Sequence, residues 1–166
     1  MTASDYDISP WRFPVFSYGL EMASLYGRPA TLPNYRLDFN WLPSGAVTTL
    51  ANIKPTPFGS VDGIYADLTA RQFKAFDAEQ GRDRKLVRIT VDGAHVVAWA
   101  HFTTDITRYR APSPSYVTAL LAAASLANVS DDYLMNVTAA AHQLWLGRRQ
   151  HNHLQMIRLA GEPSMN

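Results

Sequence analysis

The dipeptide Asp92-Gly93 lies between two runs of β-branched and apolar residues, 85–91 and 95–103. Asp-Gly in this position is a strong short-range signal for a β-hairpin, because both residues tolerate the positive φ angles of a tight turn. A chain with this feature must accommodate antiparallel sheet. The sequence therefore predicts two paired strands at 85–91 and 95–103.

Other segments also have strand patterns. They are either apolar and β-branched or alternate apolar and polar residues with period two. Pro29 and Pro33 mark a loop between the first two of them, and the sequence Pro-Thr-Pro-Phe-Gly at 55–59 marks a turn between the last two. With the hairpin, they give a prediction of six strands. Their ranges are 13–18, 35–39, 47–53 and 60–67.

Helical patterns interrupt and follow the strands. Thr69 stands three residues before Gln72, which is the spacing of a capping box, and predicts a short helix over 70–79 that Gly81 closes. After residue 110 the chain becomes rich in Ala and Leu, and two further helices are expected. One covers 115–127, and the other starts at Ser130 and ends near Gly147. Strands and helices together predict an α+β fold.

Length and composition limit the class of protein. The 166 residues are enough for one domain with a large core, predicted over 13–149 between an arm at 1–12 and a tail at 150–166. A net charge of +1 gives no electrostatic footprint for nucleic acid. The N-terminus does not resemble a signal peptide, and no apolar run is long enough to span a membrane. We therefore expect no nucleic-acid or membrane partner, and a cytoplasmic location.

Metal and cofactor chemistry have little support in the sequence. The absence of cysteine excludes disulfides, thiolate nucleophiles and cysteine-based zinc sites. His151 and His153 form a pair, but no third ligand lies nearby in the sequence. We expect neither a metal nor a cofactor.

The first strand runs directly into a glycine-containing turn, with the sequence Tyr18-Gly19-Leu20-Glu21-Met22. Turns of this kind often leave backbone N–H groups pointing outward, where they can bind an anionic group. The backbone of residues 18–22 is therefore a candidate substrate-binding segment.

Four segments, in this order over residues 13–136, resemble the γ-glutamylcyclotransferase family. The family has Tyr-Gly-Ser-Asn where this chain has Tyr18-Gly19-Leu20-Glu21, and a Tyr-Arg-Leu-x-Phe strand that matches residues 35–39. It then has Ala-x-Ile, a turn and Val-x-Gly, which match residues 51–53 and 61–63. A Pro-Ser-x-x-Tyr helix start matches residues 112–116. The resemblance implies a small six-stranded mixed β-barrel with short helices outside it.

The resemblance also implies a reaction. In the family, the α-amino group of a γ-glutamyl amide attacks the substrate's own γ-carbonyl, so that 5-oxoproline forms and an amine leaves. The family's proton acceptor is the Glu of an Asp-x-x-Glu-Gly sequence, and this chain has Asp77-Ala78-Glu79-Gln80-Gly81 there. Gln80 therefore occupies the position of the catalytic acid, and an amide cannot accept that proton at neutral pH.

Two residues are candidates for the missing proton acceptor. Glu21 lies in the turn that faces the family's pocket, although an exposed acid in the first turn of a helix would have the same sequence. His101 lies on a strand that the resemblance places beside the pocket, although a satisfied, half-buried histidine is the more common situation. Gln80 is either a binding residue or a helix C-cap. Tyr116 belongs to the core or to the pocket rim, and Glu79 is expected to be solvated.

Three functions remain compatible with these residues. The first is an atypical γ-glutamylcyclotransferase-like enzyme that acts on a small amino-acid-derived or amide-bearing substrate, with Glu21 or His101 in proton transfer. The second is a non-catalytic small-molecule-binding protein whose pocket uses Gln80. The third is a classical cyclotransferase in which Glu79 or Glu21 replaces the family acid.

Overall fold

Five strands form one closed barrel in the computed structural model, which describes residues 11–108 and 110–161, without the side chains of 149–155 and 157–161. The order around the barrel is β1-β3-β2-β4-β5. Val15 and Trp99 pair in parallel and close it, whereas the pairs β1–β3, β2–β3, β2–β4 and β4–β5 are antiparallel. The predicted mixed barrel of an α+β protein is therefore confirmed. The strands are β1 Phe13–Ser17, β2 Arg28–Trp41, β3 Leu50–Leu68, β4 Asp83–Val91 and β5 Ala94–Phe102.

The predicted number of six strands is wrong, because residues 50–53 and 60–67 of the two predicted strands belong to one long strand, β3. The proline-containing segment between them is absorbed by a shift in register, from Pro33 opposite Ser60 to Tyr35 opposite Pro55. Such a bulge removes a few residues from the ladder without ending the strand, and it is a place where proline is tolerated.

The predicted loop at Pro29 and Pro33 is also strand, because β2 already begins at Arg28. Proline costs least in a strand that lacks a regular ladder on one side. Here β2 meets β4 through a single residue pair, Thr31 and Thr90.

The hairpin between β4 and β5 follows the prediction closely. Asp92 and Gly93 have φ values of 49° and 79°, as a type I′ turn requires. Pairing runs from Val91 opposite Ala94 to Asp83 opposite Phe102. The hairpin places residues 82–84, at the start of β4, next to the end of β5.

Within the described residues, three α-helices and one short 3₁₀ helix pack outside the strands. The capping box of α1 forms as predicted, because Thr69 Oγ1 accepts from the Gln72 N–H and Gln72 Oε1 accepts from the Thr69 N–H. Ser113 caps α2 in the same manner through the Tyr116 N–H. The elements are the 3₁₀ helix Leu20–Ala23, α1 Ala70–Gln80, α2 Pro114–Leu126 and α3 Asp131–Gly161.

The predicted end of the last helix near Gly147 is wrong, because α3 continues to Gly161. Gly147 does not adopt a left-handed conformation, so it is an interior helix residue rather than a C-cap. Glycine in a helix interior costs about 1 kcal/mol relative to alanine, which tertiary contacts can offset. The described part of the chain does not include residues 1–10 of the predicted arm or the last five residues of the predicted tail. It also does not include the side chains of His151 and His153. The predicted domain boundaries stay a prediction.

The main core fills the barrel and extends under α2 and α3. A second, smaller cluster lies between the barrel and α1, where Phe76 packs with Val15 and Leu68. The end of α1 and the end of β1 therefore face the same end of the barrel, where the candidate residues lie.

Candidate functional site

Tyr18 is the central side chain of this site. It follows β1 directly, is 2% exposed, and its hydroxyl donates to the His101 carbonyl at 2.5 Å. Burial raises the pKa of Tyr18 well above its usual value, and the Arg82 guanidinium partly opposes that rise. Tyr18 is therefore a neutral phenol that ties the end of β1 to the end of β5.

The turn after Tyr18 is packed around the carboxylate of Glu21, which belongs to the turn itself. Glu21 Oε1 accepts from Ser17 Oγ at 2.9 Å, and a Cβ added to Gly19 would lie 2.5 Å from Glu21 Oε2. Position 19 therefore has to be glycine for Glu21 to adopt this conformation. Met22 donates its N–H to the Gly19 carbonyl at 3.1 Å, so this N–H is not available to an anion. Leu20 is exposed at the surface, and the Met22 side chain is buried in the core.

Arg82 is the main residue of the site that the sequence analysis missed. Its Nη1 donates to the Ala51 carbonyl and its Nη2 donates to Gln80 Oε1, each at 2.9 Å. The guanidinium Cζ lies 4.1 Å from the centre of the Trp41 ring and 5.4 Å from that of Tyr18. Cation–π contacts of this kind hold a guanidinium in place while leaving its charge unneutralised.

Gln80 is the last residue of α1 and is 7% exposed. Its carbonyl oxygen accepts from Arg82, while Gly81, with φ of 60°, ends the helix. The helix terminus thus relies on glycine, and the Gln80 amide is directed toward Arg82. Its neighbour Glu79 is exposed, as expected.

His101 is fully enclosed, with 2% of its surface exposed, and lies near the end of β5. Its Nε2 is 2.8 Å from Asp77 Oδ1, and Arg84 donates to Asp77 Oδ2 at 2.6 Å. The bond from His101 and the Arg84 guanidinium lower the pKa of Asp77. Burial lowers the pKa of His101, and the Asp77 carboxylate opposes that effect. The imidazole is therefore neutral at pH 7 and the carboxylate is ionised.

Tyr116 connects the first turn of α2 to the barrel. Its hydroxyl oxygen accepts from the Ala51 N–H at 2.9 Å, and burial raises its pKa to about 12. Arg82 donates to the carbonyl of the same residue, Ala51. Tyr116 and Arg82 are therefore anchored to one residue of β3.

Three buried side-chain atoms have no hydrogen-bond partner within the described residues, and all three belong to neighbours of Tyr18. Arg82 Nε and His101 Nδ1 are two of them. The third is Tyr133 Oη, which lies near the Asp62 backbone without forming a hydrogen bond of good geometry. Tyr133 and Tyr18 line the same small interior hollow. Because buried polar atoms are nearly always paired, three such atoms on residues adjoining Tyr18 are unusual.

Two opposite charges act on the site. The Glu21 carboxylate raises, and the Arg82 guanidinium lowers, the pKa values of Tyr18 and Tyr116, and both also act on the pKa of His101. Arg82 nevertheless has no carboxylate within ion-pair distance in the part of the chain that the structure describes. A positive and a negative charge thus flank the same phenols without neutralising each other.

Glu21 also borders a cleft of about 350 Å³ between the 3₁₀ helix and α1. Asp67, Gln72, Phe76 and Glu79 line it as well. The cleft is within the usual size range of small-ligand sites. Glu21 therefore borders an open space.

Within residues 11–108 and 110–161, no group of three or more potential ligands among His, Asp and Glu is arranged to hold a metal ion. In the same residues, no helix combines the length and apolarity that crossing a membrane requires.

No protein-family model matches the chain, and no curated protein is significantly similar to it. Solved structures do match its fold. A γ-glutamyl cyclotransferase superposes with a TM-score of 0.71 and 18% identity, over 78% of this chain and 88% of the other. An uncharacterized protein from Homo sapiens superposes with a TM-score of 0.70 and 18% identity, over 77% of this chain and 87% of the other. YkqA from Bacillus subtilis superposes with a TM-score of 0.65 and 14% identity, over 79% of this chain and 54% of the other.

These superpositions define the class of fold: the chain is a γ-glutamylcyclotransferase-like α+β barrel. The structure brings Tyr18, Gln80 and His101 together around Arg82, with Glu21 and Tyr116 within electrostatic reach. The Leu20 side chain is exposed at the surface, whereas the buried Met22 side chain lines the small hollow beside Tyr18 and Tyr133.

Proposed function

We propose that this protein is an atypical γ-glutamylcyclotransferase-like enzyme that acts on a small amino-acid-derived or amide-bearing substrate. The fold it shares with a γ-glutamyl cyclotransferase supplies the class of reaction only as an analogy, so the proposal rests on the site. The observation that carries the proposal is the group of unpartnered buried atoms around Tyr18, namely Arg82 Nε, His101 Nδ1 and Tyr133 Oη. A polar ligand that bound beside Tyr18 could supply hydrogen-bond partners to these atoms.

The charges around Tyr18 suit a ligand with two ends. An amino-acid derivative carries a carboxylate, which suits Arg82, and an amine, which suits Glu21. A planar guanidinium binds carboxylates in bidentate geometry, and Arg82 is already held in position by Trp41, Ala51 and Gln80. The amide of Gln80 and the hydroxyl groups of Tyr18 and Tyr116 are neutral partners for the rest of the substrate.

The chemistry needs little from the protein. The substrate's own amine attacks its amide carbonyl, a ring C–N bond forms, and the original amide C–N bond breaks as the second amine leaves. One proton moves from the attacking nitrogen to a base and then to the leaving nitrogen. Glu21 and His101 are the candidate bases, and the guanidinium of Arg82 is the candidate donor to the developing oxyanion.

A second candidate function, a non-catalytic binding protein, is favoured by one observation. The amide of Gln80 has no basic atom, and its carbonyl oxygen is already engaged by Arg82 at 2.9 Å. A pocket with this arrangement retains hydrogen bonding without a carboxylate at position 80.

The proposal is tested by binding and turnover on one panel of compounds. Amino-acid amides, γ-glutamyl amines and simple carboxylates are titrated by calorimetry and then incubated with the protein, with products identified by mass spectrometry. We expect binding of compounds with both an amine and a carboxylate, conversion of at least one amide among them, and no detectable 5-oxoproline from γ-glutamyl amines.

Matched variants locate the site. We expect Arg82→Gln to weaken binding of carboxylate-containing compounds by at least tenfold, whereas Arg28→Gln, at an exposed ion pair with Asp92, leaves binding unchanged. Binding without conversion would select the second function. Rapid 5-oxoproline release by the wild type would favour the classical enzyme, and Glu21→Gln and Glu79→Gln would then identify its base. Absence of binding by every compound in a folded protein would refute the proposal.

A further inference from the structure

Two contacts hold the His101 imidazole in one orientation, and a third fixes the His101 backbone. Its Nε2 lies 2.8 Å from Asp77 Oδ1, and its carbonyl accepts from the Tyr18 hydroxyl. Phe76 packs against the imidazole edge-on, with ring centres 5.2 Å apart and planes at 73°. The ring therefore has little freedom to flip or tilt.

Asp77 is fixed as well, because both of its carboxylate oxygens are engaged. Oδ1 faces His101, and Oδ2 accepts from Arg84 at 2.6 Å. The Arg84 guanidinium in turn lies over Trp99 and Phe73, at 5.3 and 5.6 Å from their ring centres. A chain of contacts thus runs from the barrel surface to the buried imidazole.

This arrangement determines where the imidazole proton resides. An ionised carboxylate only accepts hydrogen bonds, so the neutral ring must carry its proton on Nε2, next to Asp77. The lone pair is then on Nδ1, which is buried and has no partner within the described residues. A lone pair without a donor in the protein interior is costly unless another molecule supplies one.

The charged groups that face His101 come from three parts of the chain. Asp77 on α1 and Glu21 on the 3₁₀ helix favour the protonated ring, whereas Arg82, just before β4, disfavours it. Burial outweighs Asp77 and keeps the ring neutral at pH 7. A neutral imidazole that becomes charged next to a carboxylate is a suitable proton acceptor.

We infer that Asp77 is a positioning residue that fixes His101 in its Nε2–H tautomer, and that His101 Nδ1, rather than the Glu21 carboxylate, accepts the proton in turnover. The catalytic half of this inference rests on the proposed function. As the C–N bond forms, the proton moves from the attacking nitrogen to Nδ1, which gives an imidazolium paired with Asp77. It then moves to the leaving amine, and the neutral ring is restored.

The tautomer can be measured without knowing the substrate. The chain has five histidines, so the ring ¹⁵N signals of the full-length protein can be assigned by comparison with a His101→Gln variant. At pH 7 we expect a protonated Nε2 and an unprotonated Nδ1, with the first proton adding to Nδ1 on acidification. An Nδ1–H tautomer, or an imidazolium at pH 7, would overturn the inference.

Two substitutions separate the effect of Asp77 from a general charge effect. Asp77→Asn removes the charge, so we expect a lower pKa of His101 and a mixture of tautomers. Asp92→Asn removes a carboxylate from an exposed ion pair and should change neither property. Unchanged tautomer and titration in Asp77→Asn would refute the positioning role.

The catalytic half is tested by His101→Gln and Glu21→Gln, with the substrate that the panel identifies. The glutamine amide can still donate to Asp77 but has no lone pair at the Nδ1 position. We expect His101→Gln to lower kcat by about 100-fold or more with little change in Tm, and Glu21→Gln to affect KM more than kcat. Full turnover by His101→Gln would refute the catalytic role. If the wild type converts no compound, the proposed function and the catalytic half fail together, while the NMR result still decides the positioning half.

Discussion

Replacing Gln80 with glutamate would place a carboxylate 2.9 Å from the Arg82 guanidinium, at a position that is 7% exposed. Two large effects oppose each other there. Attraction between unit charges about 4 Å apart is worth about 4 kcal/mol at an effective dielectric constant of about 20. Transfer of a carboxylate from water to a buried position costs several kcal/mol. We therefore expect only a small change in stability at pH 7, of either sign.

The pH dependence of stability is more informative than its value at pH 7. A carboxyl beside an arginine has its pKa lowered by about one to three units from the glutamate reference of about 4.3. In the folded state the ionised form of the introduced carboxyl is then favoured over the protonated form, so this contribution to stability is fully present above about pH 4.3 and is lost as the pH falls through the folded-state pKa. Relative to wild type, the free energy of unfolding of the variant should fall by about 1.4–4 kcal/mol over that pH range.

Urea unfolding of the wild type and of Gln80→Glu between pH 6 and the lowest pH at which both are folded measures this difference. Glu79→Gln, which removes an exposed carboxylate one residue away, is the matched control and should show little pH-dependent change. A stability difference that is constant with pH, or that favours the variant as the pH falls, would show that burial outweighs Arg82. That result would refute the reasoning.

The same reasoning predicts the activity of the variant. A carboxylate whose pKa is lowered by Arg82 is a weak base, so Gln80→Glu alone should not release 5-oxoproline from γ-glutamyl amines. Adding Arg82→Gln would remove the charge that holds that pKa low. The double variant should not gain activity either, because Arg82 also binds the substrate carboxylate, and gain by the single variant would contradict the role given to Arg82.

Two further predictions concern the scaffold. Tyr116→Phe removes the acceptor of the buried Ala51 N–H and should cost about 1–3 kcal/mol in urea unfolding, so an unchanged unfolding midpoint would contradict that hydrogen bond. Gly147→Ala should raise the free energy of unfolding by up to about 1 kcal/mol, because α3 passes through this position with no atom close enough to contact the added methyl group. A lower Tm would indicate that the helix ends there.

The parts of the fold that local sequence determines were predictable. Asp92-Gly93 determines its own turn geometry, and Thr69 and Gln72 determine the start of α1. The union of two predicted strands into β3 was not predictable in this way, because it depends on the register with β2 across the bulge. The prolines and the glycine at 55–59 are compatible with a turn and with a bulged strand, so the sequence pattern does not distinguish the two.

The candidate site shows the same division. Tyr18, Gln80 and His101 were found because a resemblance supplied their neighbours. Arg82 was missed because Gly-Arg-Asp-Arg-Lys has the pattern of a solvated, charged loop, and the contact with Trp41 joins residues 41 positions apart. Asp77 was quoted only as part of a motif, since its pairing with His101 depends on how α1 lies against β5. The only feature of the sequence that could have indicated Arg82 as a site residue was its position two residues after Gln80.

The neutral Gln80 and the charged Arg82 explain each other. A glutamate at position 80 would form an ion pair with Arg82, and the guanidinium would then have little remaining attraction for a substrate anion. The amide instead orients the guanidinium through one hydrogen bond and leaves its charge uncompensated within the described residues. If proton transfer belongs to His101, as we infer, position 80 no longer requires a base. In a site with this division of tasks, Arg82 binds the anion, Gln80 orients the Arg82 guanidinium, and His101 accepts the proton.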